Sequence, residues 1–181
     1  MYKRQTLGDL KAYLSPHSDV VAHLVFDHQL HGQNLITRVS YEHRLGRRSD
    51  AEDRLLRHFL LAEEPQWDEE IAGTSGFAKW FQQQGPRAGD GRSLRQLDLS
   101  DRLFRFRLSP LVYSSQLAVM PDPPRQRLGR RFRAVLEGRP AGGLEKLLND
   151  RQRHNLCDIL EATREDLPTG WRVRPRRRGV K

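Results

Sequence analysis

Cysteine is almost missing from this 181-residue chain, with Cys157 standing alone. A single thiol excludes an internal disulfide, a cysteine metal cluster and a Cys-x-x-Cys-His haem attachment motif within the chain. Long apolar runs are missing too: none approaches the ~20 residues that a membrane-crossing helix needs. The start, "MYKRQTLGDL", is basic but lacks the apolar stretch of a secretory signal. The expectation is a cytoplasmic protein if the frame is complete as given, or otherwise a part of something longer. No internal repeat and no long alternating strand pattern is visible. The segment "GPRAGDGRS" lacks the spacing and the Lys-Ser/Thr end of a P-loop, and there is neither a nucleophile elbow nor a His-Glu-x-x-His motif. The expectation leans away from an enzyme, and no catalytic residue is assigned.

What the chain does have is helical periodicity. From Asp19 to Leu45, apolar positions recur every three or four residues: Val21, Leu24, Val25, His28, Gly32, Leu35 and Val39. Ser18 or Asp19 can cap the start, and Gly46 is a stop. Such a helix is about 40 Å long at ~1.5 Å per residue, so other helices should pack along it. Further helical stretches are expected in residues 6–14, 49–64, around "FAKWF", in "PLVYSSQLAVM", in "RQRLGRRFRAVLEG" and from Asn149 to about Arg164. The core candidates include Leu55, Leu56, Phe59 and Leu60, then Leu128, Phe132, Val135 and Leu136, then Leu156, Ile159 and Leu160. Trp171 should tuck against them. Phe77, Trp80 and Phe81 fall on one side of their short helix. The fold class is mainly α, an irregular helical bundle around one long N-terminal helix. Residues 1–171 form one domain, and 172–181 form a basic disordered tail.

Charge is the other surplus. The net charge is +9, and the tail "RVRPRRRGVK" holds six of the cations with no acid, leaving +3 on the body. Such a tail can bind nucleic acid or an anionic surface without any fold. A basic nucleic-acid-binding or scaffold protein is therefore one functional expectation.

The oddity of the long helix is histidine on its apolar face. His28 takes a hydrophobe's place, and His31 lies one turn on. Imidazoles at i and i+3 can converge on one metal or flank one planar ligand. A neutral imidazole satisfied inside a core explains the pattern equally well, and a structural zinc site needs four ligands, so no metal is assigned. Gly32 in mid-helix costs ~1 kcal/mol against alanine, which points to close approach of another helix or a flat ligand. His58 falls near the polar side of its helix and reads as a surface residue. Arg87, Arg92 and Arg95 can gather round an anion, or they can tie their loop to Asp90 and Asp98.

The segment "SDVVAHLVFDHQLHGQNLITR", Ser18 to Arg38, resembles the C-terminal part of uncharacterised bacterial multidomain proteins of c-type cytochrome character. So do, in the same order, "GTSGFA" (Gly73 to Ala78), "GPR" (Gly85 to Arg87), "GRSLR" (Gly91 to Arg95), "RLF" (Arg102 to Phe104), "VYS" (Val112 to Ser114) and "LPTGW" (Leu167 to Trp171). Two features depart. The upstream haem-attachment region is absent, and Gly32-Gln33 stand where the family has Met-His. The resemblance implies a non-catalytic helical accessory domain of a periplasmic electron-transfer protein, a fragment or diverged copy. Haem would be held by a partner domain or chain, with His28 or His31 toward the iron and Arg87 and Arg92 toward the propionates.

Overall fold

The computed structural model describes residues 19–47, 50–168 and 171–172. The expected short helix of residues 6–14, the alternative cap Ser18 and the tail from 173 onward lie outside them.

The architecture is mainly helical, as expected. Six α-helices form among the described residues: α1 (Val20–Arg44), α2 (Ala51–Phe59), α3 (Phe77–Gln83), α4 (Ser115–Ala118), α5 (Asp122–Leu136) and α6 (Asp150–Ala162). Short 3-10 turns stand at Pro110–Tyr113, Leu144–Leu147 and Arg164–Asp166. No strand forms among these residues; Leu97 and Phe104 make only an isolated antiparallel bridge.

The long helix runs unbroken through Gly32. Asp19 is its N-cap, accepting from the Ala22 amide at 3.1 Å. The same carboxylate accepts from the Ser75 amide at 2.9 Å, tying the helix start to the turn before α3. Gly46 follows the C-cap with φ +65°, a left-handed conformation that glycine adopts without Cβ strain.

Two apolar clusters cover this helix. The larger packs Leu35, Ile36 and Val39 against α2, α5, α6 and Trp171. The smaller packs Val21 and Val25 against Leu61, Phe81, Leu103 and Phe104. Trp171 is fully buried, edge-on to Phe59 (centroids 5.5 Å apart) and tilted on Phe132 (4.8 Å). Phe132, Leu128, Val135 and Leu136 of α5 are buried as their spacing requires, and so are Leu156, Ile159 and Leu160 of α6. Asn149 and Gln152 close a capping box at the start of α6.

Several expectations are corrected. The helix of 49–64 stops at Phe59, because Leu61 turns to φ +52° and inserts into the smaller cluster. Asp50 stands at the N-cap of α2 but makes no side-chain cap; its carboxylate takes Arg38 instead, at 3.1 Å. The three aromatics on one side of α3 differ in depth: Phe81 is buried, Phe77 is half-buried against the smaller cluster, and Trp80 is exposed. "PLVYSSQLAVM" divides at Ser114 into a 3-10 turn and the single turn of α4.

Candidate functional site

Three histidines meet between α1 and α2. His28 and His31 come from α1, one turn apart, and His58 comes from the last turn of α2. The His28 and His58 rings stack at 4.3 Å with 19° between their planes, and His31 lies 5.0 Å from His58 at 54°. His58 is the residue that sequence reasoning put on the surface; it is half-buried. Gly32 makes its place. A Cβ at residue 32 would stand 2.7 Å from His58 Nε2 and 2.3 Å from Leu111 Cδ1. The bare backbone there admits both a ring and a leucine, which is the close approach the mid-helix glycine implied.

Each stacked ring is anchored. His28 Nε2 hydrogen-bonds Ser109 Oγ at 2.7 Å, and Phe104 meets its ring edge-on at 5.0 Å. His58 Nε2 lies 3.0 Å from the His28 carbonyl. A carbonyl can only accept, so His58 Nε2 carries the proton. In the neutral ring Nδ1 is then a lone-pair acceptor. Burial lowers the His28 pKa to about 3, with the facing His58 and His31 adding to the shift. Burial and His31 lower that of His58 to about 4, against opposing effects of the His28 carbonyl and Asp27. Both rings are therefore neutral at physiological pH.

Beside them lies a cavity of about 320 Å³. Leu24, Leu61, Leu103 and Trp67 give it apolar walls. Its charged lining is acidic: Asp27, Glu63 and Glu64 against Arg54 alone. This is a local inversion of the chain's +9. Glu64 accepts from the Leu103 amide at 2.8 Å, and burial raises its carboxyl above the usual range despite that bond.

The Ser109–His28 contact has the length of a nucleophile–base pair. Its surroundings argue otherwise. Ser109 is fully buried, and its Oγ also accepts from the Leu111 amide at 3.2 Å as the cap of the 3-10 turn. His28 is a poor base with a pKa of about 3, and no carboxylate among the described residues orients its ring. The pair is structural.

The expected arginines are elsewhere. Arg87 donates to the Gly91 and Gln82 carbonyls and is spent on its own loop. Arg92 holds Asp90 at 2.7 Å, Asn155 at 3.2 Å and Asp158 at 3.4 Å. Neither lines the histidine cavity. The tie to Asp90 holds, whereas Asp98 faces Arg102, and Arg95 stacks over Phe81 at 4.7 Å. The structure does not bring His28, Arg87 and Arg92 together: the His28 ring is turned to Ser109, and the two guanidiniums are engaged outside the cavity. Of the three clustered histidines only His31 is exposed, with neither ring nitrogen bonded to protein among the described residues. No group of three or more His, Cys, Asp or Glu side chains is placed to hold a metal ion among those residues. Compared with family models, curated proteins and solved structures, the chain matches no family model, no curated protein and no solved structure.

Proposed function

We propose that this chain is a non-catalytic helical binding domain and that the histidine cavity between α1 and α2 is its binding site. The observation that carries this is the anchored, neutral His28–His58 stack, which leaves an imidazole acceptor beside an apolar, acid-lined cavity of about 320 Å³. That volume falls at the lower end of the range for small-ligand pockets, ~300–1,000 Å³. The ligand that complements it has a flat apolar body for the Leu24, Leu103 and Trp67 walls and a cationic N–H donor for Glu64 and His58 Nδ1. An anion would meet Asp27, Glu63 and Glu64 with only Arg54 in compensation. The test is thermal denaturation with benzamidine as a flat cation and benzoate as its anionic counterpart. Benzamidine should raise the melting temperature and benzoate should not; a ligand at 100 times its Kd adds about 2.7 kcal/mol. His58→Phe should abolish the shift. Equal responses to the two probes would refute the site.

The accessory-domain role in a cytochrome-like electron-transfer protein is a second proposal. It has one specific support, the exposed His31 of the cavity lining, whose ring nitrogens bond no protein group among the described residues and could meet a haem iron presented by a partner. It then predicts that added haem gives a bound absorption spectrum that His31→Ala removes and His28→Leu leaves unchanged.

A further inference from the structure

A second cleft, of about 310 Å³, is separate from the histidine cavity and carries the opposite charge. It lies where the 105–107 stretch meets the start of α6, and its polar lining is Arg92, Arg105, Arg107, Arg151, Gln152 and Asn155. No carboxylate of the described residues lines it. Asp90 and Asp158 neutralise Arg92. Arg105, Arg107 and Arg151 have no ion-pair partner among the described residues. A bend in the "RFR" stretch explains the gathering. The backbone bends through residues 105–108, with the Leu108 amide donating to the Phe106 carbonyl at 2.7 Å, and this brings Arg105 and Arg107 to the same cleft while Phe106 between them is buried.

Arg107 supplies the second observation. Its Nη1 reaches the Leu147 carbonyl only at 3.5 Å, and its Nε is buried with no hydrogen-bond partner among the described residues. A buried guanidinium N–H without an acceptor is costly, and native interiors rarely leave one. Arg151 stands in the first turn of α6, where the helix dipole favours negative charge. Gln152 Oε1 is taken by the Asn149 amide, so what that side chain can offer the cleft is its NH₂ group. The cleft thus presents donors from three sides and a surplus of three guanidiniums. Glu64 and Asp101 are near enough for Arg107 to favour their charged forms, yet neither pairs with it.

We infer that this cleft binds a small phosphorylated molecule, with Arg105, Arg107 and Arg151 clamping the phosphate. A phosphate dianion matches the surplus charge and the planar forks of arginine better than a single carboxylate does. The concave shape favours a small molecule over a nucleic-acid backbone, which would track an open basic stripe.

The test is calorimetric titration of the full chain with pyrophosphate, inorganic phosphate and a short DNA duplex. Three variants accompany it: Arg105→Ser/Arg151→Ser, the charge-matched control Lys79→Ser/Arg130→Ser, and Arg107→Lys. All four serine positions are exposed, so the fold should survive. Pyrophosphate should bind the parent and the control alike. Loss of one charged contact worth ~1.4 kcal/mol weakens binding about tenfold, and the cleft double variant should lose at least that. Arg107→Lys keeps the charge but not the Nε–H and should also weaken binding. Three results would each overturn the inference: no phosphate binding, equal loss in the two double variants, or binding of DNA alone.

Discussion

The His58 ring lies where the side chain of residue 32 would be: a Cβ on Gly32 would overlap its Nε2 at 2.7 Å. The sign of a Gly32→Ala change follows from that overlap. Alanine gains ~1 kcal/mol of helix propensity. It also drives Leu111 and His58 out of a packed site, and overpacking typically costs ~1–3 kcal/mol. We expect net destabilisation of about 1–2 kcal/mol by urea denaturation, with loss of benzamidine binding. A stabilised variant would show that the contact yields freely.

Stability should fall as the solution is acidified from neutrality. Both stacked rings have folded pKa values below the ordinary 6.5, about 3 for His28 and about 4 for His58. Below 6.5 the unfolded chain takes up protons that the folded chain refuses, so the folded state loses ground. The contribution is whole above pH 6.5. It declines down to about 4 for His58 and about 3 for His28, by at most ~1.4 kcal/mol per pH unit for each ring. His58→Phe should flatten the slope measured between pH 6.5 and 4.5. An unchanged slope would assign the acid loss to carboxylates instead.

Ser109→Ala removes two bonds at once, the cap on the Leu111 amide and the partner of His28 Nε2. Cap loss typically costs ~1 kcal/mol and a buried unpaired group ~1–3 kcal/mol. The variant should be destabilised by roughly 2–3 kcal/mol in chemical denaturation. It should still bind benzamidine, because His58 keeps its carbonyl anchor.

Trp171 is fully buried against Phe59 and Phe132, and its indole Nε1 has no partner among the described residues. Trp171→Ala should cost about 3–5 kcal/mol. Trp171→Phe should cost clearly less, since it keeps a ring in place and removes the unsatisfied N–H. Equal losses would mean that the indole N–H is satisfied in solution.

How far the sequence carried is clearest along α1. Val21, Val25, Leu35 and Val39 lie on one line of a period that nothing interrupts, so the helix and its buried face were legible. His28 was legible as well, since it replaces a hydrophobe on that line. His58 was not. A helical wheel places it by its own helix alone, and α2 is nine residues long with α1 packed over its last turn. The hint was Gly32, a buried position with no side chain that has to be filled by a neighbour. The arginines misled for a different reason. Arg87 and Arg92 are prominent in a glycine-rich loop, but loop geometry is not periodic, and they close on nearby carbonyls and carboxylates. Arg105 and Arg107, alternating with phenylalanines, carried the stronger signal in a stretch that resembled no helix.

The two apolar clusters leave α1 held at both ends by separately built groups, with His28 and Gly32 at the joint between them. A small cluster opens at less free energy than a large one. Backbone amides in α3 and the first turns of α1 should therefore exchange with deuterium sooner than those of α5, α6 and the second half of α1. A ligand seated at the joint touches Leu24, Leu61 and Leu103 on the weaker side and His58 of α2 on the stronger. It would brace the weaker half against the stronger, and its arrival would register as slowed exchange in α3, a helix that lines no part of the cavity.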